Sequence, residues 1–337
     1  MEYRDFGRTG VKVSALALGC MMFGRRTEAK DSYAIIDRAL DAGVNMLDTA
    51  NVYGRGRSEE VTGQALKRNG KRSSVFLATK VHQAMADDDP NAQGNSRRHI
   101  LEQCEASLRR LQTDYIDLYQ LHRPDRHIPI DETLRALDDL VRSGRVRYIG
   151  TSNFGAWQIV EALWASKELG LNRFVSDQSP YNLADRRMER EHIPMAMTFG
   201  IAITPWSPIG GGLLTGKYRR GEPEPEGSRY ALETDPSRRR RFSPGMFDLV
   251  DRLEPVARRK GVPLSQFALA WVRRQPGVTA PIIGPRTMEQ LEDNLRSLDV
   301  EITDEDRRRV DEAIAPGEHV APFFEASFAP NIHRVVL

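Results

Sequence analysis

The chain predicts an α/β protein folded as a (β/α)8 TIM barrel, and three observations carry that reading. Eight short apolar runs alternate with amphipathic helical segments from end to end. No GxGxxG turn follows the first run, ALALGCMMFG, whereas a doubly wound sheet usually carries its cofactor at such a turn. Polar residues also stand at the ends of three successive runs, where a parallel barrel would gather them on one face.

The runs are ALALG (15–19), VNMLD (44–48), VFLATK (75–80), YIDLYQLH (115–122), VRYIG (146–150), FVSDQ (174–178), IAITPW (201–206) and TAPIIG (279–284). Among the intervening helices, HILEQCEASLRRL places Ile100, Cys104, Leu108 and Leu111 on one apolar stripe at helical spacing. Asp31, Ser96 and Asp131 read as N-caps, and Gly43, Gly144 and Gly170 stand where C-caps belong. Two segments interrupt the alternation. YRDFGRTGVKVSAL predicts a hairpin around Thr9 and Gly10, suited to capping the N-terminal end of the barrel. Residues 217–244 form a long loop after the seventh strand, on the face where barrel enzymes carry their chemistry. Within it Arg238–Arg241 reads as a solvated surface run, with contact to an anionic ligand as the alternative. The tail 316–337, with Phe323, Phe324 and Phe328, lacks a clear period. Two placements are open for it: back over the cleft, or against a neighbouring subunit. Residues 1–337 are read as a single barrel domain.

Composition narrows the function. The 337 residues are 40% hydrophobic and 28% charged, ample for a large core. A formal net charge of +2 implies no strong field for nucleic acid or membranes. The two cysteines, Cys20 and Cys104, have no metal-ligand spacing and fit a reducing compartment. The N-terminus lacks an apolar h-region, and no run approaches membrane-spanning length. The expectation is a cytoplasmic protein acting on a small molecule without a metal.

Asp48 closes VNMLD, Tyr53 follows in TANVYG, Lys80 closes VFLATK and His122 closes YIDLYQLH. Taken singly they read as a helix cap, a core aromatic, a solvated strand end and a satisfied hydrogen-bonder. Jointly, at consecutive strand ends, they suit proton transfer to a carbonyl oxygen. A free phenol has a pKa of about 10. A cation such as Lys80 would lower it, and Asp48 would keep that cation charged and aimed. His122 would orient the carbonyl or share the proton transfer.

The stretches VNMLDTANVYGRGRSEEVTGQAL, LATK, DYIDLYQLHRPD, GTSNF, PWSPIGGGLLTGKY and IIGPRTMEQLEDNL resemble the aldo-keto reductase superfamily in order and approximate spacing. The resemblance implies a (β/α)8 barrel and NADPH-dependent reduction of aldehydes or ketones, with Asp48, Tyr53, Lys80 and His122 as the catalytic tetrad. It further implies that Ser152, Asn153 and Gln178 hold the nicotinamide carboxamide and that Trp206 stacks on its ring. Ser207, Pro208, Ile209, Gly210, Gly211 and Lys217 match the loop that wraps the pyrophosphate, and Arg229 an arginine that closes over the cofactor. Gly284, Arg286, Gln290, Asp293 and Asn294 match the adenosine-phosphate motif, where Arg286 favours NADPH over NADH. Asp48 and Met21 also belong to the implied cofactor site. Phe23, with Tyr53 and His122, is assigned to the substrate pocket; packing at the barrel rim is the alternative for Met21 and Phe23. Cys20 and Pro285 depart from the family's usual threonine and small residue. Potassium-channel β subunits share this barrel, so a cofactor-sensing regulatory subunit is the rival function. Those subunits generally carry Asn in place of His122, which favours an enzyme here. A metal-assisted hydrolase lacks its ligands. Whether the chain is a monomer or a homo-oligomer is left open.

Overall fold

In the structure, a computed structural model that describes residues 1–323, the predicted barrel is present. Its hairpin is β1 (Tyr3–Asp5) with β2 (Lys12–Ser14). The barrel strands are β3 (Ala17–Gly19), β4 (Met46–Asp48), β5 (Phe76–Val81), β6 (Ile116–Leu121), β7 (Val146–Ser152), β8 (Phe174–Gln178), β9 (Ala202–Ile203) and β10 (Ile282–Ile283). From β3 to β9 each pairs in parallel with the next, and β10 pairs in parallel with β3. Closure is made by backbone bonds from Thr279 N to Ile203 O at 2.8 Å and from Ile282 N to Pro205 O at 2.8 Å. The helices are α1 (Ala29–Asp41), α2 (Arg57–Asn69), α3 (Arg97–Leu111), α4 (Ile130–Arg142), α5 (Ala156–Leu169), α6 (His192–Phe199), α7 (Pro236–Arg239), α8 (Pro244–Arg259), α9 (Leu264–Arg273), α10 (Met288–Arg296) and α11 (Asp304–Ala313).

The stripe Ile100, Cys104, Leu108 and Leu111 is buried along α3, and Ser96 caps that helix by accepting from His99 N. Two expected caps are corrected. The N-cap of α1 is Glu28 and that of α4 is Pro129, while Asp31 and Asp131 lie in the first turns. There their charges still favour the positive end of the helix. Gly170 ends α5 in the left-handed region at φ 64°, a conformation that costs glycine least.

The strands' alternation explains the site. Met46, Ala78 and Leu118 point into a lower apolar layer with Phe6, Ala17, Ala202 and Ile282. Two residues further along the same strands stand Asp48, Lys80 and Gln120, so the same inward face turns polar at its upper end. Gly150 leaves room there, because a Cβ at this position would collide with Ser176 Oγ. From below, Phe6 plugs the barrel at 4.8 Å from the Phe76 ring, and Arg4 bonds the carbonyls of Arg273 at 2.8 Å and Val278 at 3.0 Å. The hairpin is therefore the bottom cap that the sequence predicted.

The 217–244 segment is organised by its own aromatic cluster. Tyr218, Tyr230 and Phe242 lie 4.9–5.6 Å apart by ring centroids. The reading of Arg238–Arg241 as a solvated run is corrected at Arg241. Its guanidinium is buried, donates to Pro322 O at 3.1 Å and lies 4.3 Å from the Phe323 ring centroid. Residues 318–323 fold back on their own chain: Val320 N bonds Ala184 O at 3.0 Å and Phe323 N bonds Asp185 Oδ2 at 2.8 Å. Phe324 and Phe328 lie outside the described residues.

Phe6→Ala removes the plug and leaves a cavity under the lowest layer. It is expected to cost about 3–5 kcal/mol, read as a lower midpoint in urea unfolding.

Candidate active site

Lys80 is fully buried, and its Nζ lies 2.5 Å from Asp48 Oδ1, 2.7 Å from Thr49 O and 3.5 Å from Tyr53 Oη. The other Asp48 oxygen accepts from Gln120 Nε2 at 3.1 Å and Gln178 Nε2 at 2.9 Å. Both charges are thereby paired and hydrogen-bonded, the condition under which buried ions are tolerated. The His122 ring meets that of Tyr53 edge-on at 5.6 Å, completing the expected constellation.

The ionisation states follow from burial and charge. Burial raises the Tyr53 pKa, and the Lys80 charge, which lowers it, does not prevail. That net direction is opposite to the sequence expectation, because the phenol loses more hydration than one cation at 3.5 Å returns. Burial also opposes the Lys80 ammonium, but Asp48 and Tyr53 outweigh it and leave its pKa raised. For His122, burial and then the nearby Lys80 charge hold the pKa well below the ordinary value, so the ring is neutral near pH 7. Cys20, behind the site, is pushed up to about 12 by burial and is an inert thiol.

Beyond the tetrad, β7, β8 and the chain after β9 end together. Ser152 Oγ donates to Gln178 O at 2.7 Å, and Asn153 Nδ2 donates to His122 O at 3.1 Å. Trp206 Nε1 donates to Asn153 Oδ1 at 3.1 Å. Asn153 at φ 61° and Ser207 at φ 54° occupy the left-handed region that side chains rarely adopt. Gly210, Gly211 and Gly212 follow at φ 61°, 64° and 102°, a succession of tight turns in which Gly210 N donates to Ser207 O at 2.9 Å and Gly212 N to Ile209 O at 3.0 Å. Two cations border it. A Cβ on Gly212 would stand 3.3 Å from Lys217 Nζ, and one on Gly211 would stand 3.4 Å from Arg229 Nη1. Burial lowers the Arg229 pKa, and its charge also acts on Tyr53.

The third cluster opens α10. Thr287 caps it, Arg286 N donates to Gln290 Oε1 at 2.8 Å, and Arg286 Nη1 reaches Gly227 O at 3.2 Å. That last bond ties the 217–244 loop to the segment after β10. Gly284 has open space where a Cβ would stand, and Asn294 is buried.

Two candidates are placed otherwise. Phe23 is fully buried in the main core and offers no surface to a substrate, because the turn after β3 directs it inward. Met21, in the same turn, keeps partial exposure. Asp293 fastens α9 to α10, accepting from Ser265 Oγ at 2.9 Å and Gln266 Nε2 at 2.6 Å. Sequence reasoning missed Gln120, which anchors Asp48. Its signal was a polar residue on the inward face of an otherwise apolar strand.

The aldo/keto reductase family pattern matches residues 15–315. The chain belongs to the aldo/keto reductase family. An uncharacterized oxidoreductase of Bacillus subtilis (strain 168) is 40% identical over 94% of this chain and 97% of its own length. A probable voltage-gated potassium channel subunit beta of Oryza sativa subsp. japonica is 39% identical over 89% and 92%. Versiconal hemiacetal acetate reductase of Aspergillus parasiticus is 36% identical over 94% and 100%. The family placement supports oxidoreductase chemistry on carbonyl compounds. No helix among the described residues is long and apolar enough to cross a membrane.

Burial lowers the pKa values of His82, His99 and His122. As pH falls through the unfolded value of about 6.5, the unfolded chain takes up protons that these folded rings refuse. Stability is therefore full above that pH and lost below it. Tm is expected to fall between roughly pH 7 and pH 5, and His99→Gln should flatten that dependence in a thermal melt series.

Proposed function

We propose that this aldo/keto reductase reduces aldehyde or ketone carbonyls to alcohols with NADPH, Tyr53 acting as the general acid. The observation that carries the reading is the buried Lys80, bonded to Asp48 at 2.5 Å and directed at Tyr53 Oη at 3.5 Å. A bound NADPH would supply the hydride that reaches the carbonyl carbon.

The chain's residues suit that dinucleotide along its whole length. Gln178 Nε2 is committed to Asp48, which leaves Gln178 Oε1 as an acceptor for a carboxamide N–H. Asn153 Oδ1 retains a second lone pair beside it. The Trp206 indole, pinned by Asn153, presents a flat face for the nicotinamide ring. The Gly210–Gly212 turn with Lys217 and Arg229 suits a pyrophosphate, and Arg286 at the start of α10 suits a 2′-phosphate. The 217–244 loop, held across to Arg286 through Gly227, would keep that cofactor in place.

At the reacting centre, neutral His122 donates a hydrogen bond to the substrate oxygen and fixes the carbonyl's orientation. Tyr53 passes its proton to the same oxygen as negative charge develops there. Lys80 then faces a phenolate and stabilises it, while Asp48, Gln120 and Gln178 hold Lys80 in place. The phenol is reprotonated from solvent between turnovers.

The identity to proteins named potassium channel subunit beta supports a second reading, a cofactor-sensing regulatory subunit. The two readings part on turnover. With NADPH and a panel of aldehydes and ketones, Tyr53→Phe should lose about 10²–10⁴ of the rate while NADPH still binds. Tight NADPH binding with no turnover by the unaltered protein would favour the regulatory reading.

The pH profile gives a separate check. His122 stays neutral and Tyr53 stays protonated past its ordinary pKa of about 10. Reduction should be level from roughly pH 6 to 9 and fall only at higher pH, as the phenol ionises. Arg286→Ala should weaken NADPH by roughly tenfold to a hundredfold, the worth of one charged hydrogen bond, and leave NADH nearly unchanged. Equal losses for both cofactors would place Arg286 elsewhere.

A further inference from the structure

The N-terminal face of the barrel, opposite the Lys80 cleft, carries two adjoining cavities that share Arg173. One is a groove of about 460 Å³ lined by Val160, Leu163, Trp164, Leu171 and Phe199, with Lys167 and Arg173 on its rim. The other, about 410 Å³, is lined by Arg8, Arg147 and Arg173 with Thr9, Asn172 and Tyr148 among its walls. Each volume falls within the range of about 300–1,000 Å³ usual for small-molecule sites.

The two linings differ in chemistry. Beside the groove, the outer face of α5 exposes Trp157, Trp164 and Leu169 next to the charged Glu161, Lys167 and Glu168, while its inner face packs on the core. Trp157 is 61% and Trp164 63% exposed, seven residues apart on one side, and Met197 and Phe199 of α6 extend the patch. The second cavity brings guanidinium groups together without a carboxylate in either lining. Arg173 is fixed between them, its Nε donating to Phe174 O at 3.3 Å and its Nη2 to Phe199 O at 2.8 Å. Arg147 donates to Gly144 O at 3.2 Å and stacks on Tyr115. Burial, and then the Arg8 charge, lower the Arg173 pKa, a repulsion that an anion between them would relieve. The nearest committed acid, Asp138, is occupied by Arg142 and Asn172.

We propose that this composite site binds an anionic amphiphile, a medium-chain carboxylate with its head at Arg8 and Arg173 and its chain along Trp164, Leu171 and Phe199. Charge complementarity selects this occupant. A second copy placed face to face would bring two clusters of Arg8, Arg147 and Arg173 into one interface, which like charges oppose. The site is independent of the reductase reading, since none of its residues touches Asp48, Tyr53, Lys80 or His122.

The probe is sodium decanoate, titrated into the full chain below the concentration at which it self-associates, with tryptophan emission and calorimetry as readouts. Saturable binding with a blue shift is expected. Arg173→Gln and Trp164→Ala should each weaken it at least about tenfold, as should replacing decanoate by decanol or by acetate. Circular dichroism checks that the variants fold, and Arg8→Gln, at a side chain lying over Gly200, serves as the second charge variant. Absence of saturable binding overturns the proposal, as does decanoate binding that both variants leave unchanged. Equal binding of decanol reduces the site to an apolar groove, and equal binding of acetate to an anion site. Self-association through this face that decanoate does not compete with would assign it to a second copy. Each of those three outcomes also overturns the proposal.

Discussion

The buried Lys80–Asp48 pair is the constraint around which the upper half of the barrel is built. Two opposite charges at 2.5 Å inside a barrel are tolerable only when every remaining donor and acceptor is matched. The structure meets that demand with Thr49 O and Tyr53 on the ammonium side, and with Gln120 and Gln178 on the carboxylate side. These residues come from β4, β5, β6 and β8 and the turn after β4, so one ion pair fixes the register of most of the sheet at its C-terminal end. Removing either charge would leave the other buried and unpaired, a penalty of about 3–5 kcal/mol. The same groups that make the pair bearable therefore also hold it still, and a cation held still beside Tyr53 is what the proposed proton transfer requires.

This dependence explains which parts of the site were legible in the sequence. Asp48, Lys80 and His122 each interrupt an apolar run at its end, where a polar residue stands out against the strand. Gln120 lies within such a run and looks like a tolerated exception until the barrel's inward face is known. Once Met46, Ala78 and Leu118 are seen in one layer, the polar layer two residues above them follows from the alternation alone. Phe23 and Asp293 show the converse. Both occupy the right stretch of sequence, but a turn sends Phe23 into the core and two neighbours on α9 claim Asp293. Motif position fixes the neighbourhood of a residue, whereas the direction of its side chain depends on tertiary partners that no local pattern contains. Arg241 failed for a related reason: a run of four arginines looks uniform, yet only this one meets Phe323 and Pro322.

The long loop after β9 gains its order by a different route. It has few helical residues, but Tyr218, Tyr230 and Phe242 give it a small core, and Arg239 bonds Tyr230 O at 2.9 Å and Glu224 at 2.6 Å. An excursion with its own aromatic packing can move as a unit while staying folded. It reaches the segment after β10 through a bond of 3.2 Å between Arg286 and Gly227 O, with the guanidinium partly open to water. A phosphate beside Arg286 would compete for the same donors. In the proposed function, cofactor entry and loop position would be coupled through that residue.

The direction of the Tyr53 pKa bears on how such an acid can work at all. A phenol whose pKa is raised by burial is a poorer acid than one in water, which at first sight opposes catalysis. Carbonyl reduction removes the difficulty, since hydride addition turns the oxygen into an alkoxide far more basic than phenolate. The proton then moves downhill from even a reluctant donor. What the site must supply is certainty that the phenol is protonated when that moment arrives, and a charge that stabilises the phenolate afterwards. Burial would supply the first and Lys80 the second. In the proposed reaction the two influences, opposed in the resting protein, would act in succession.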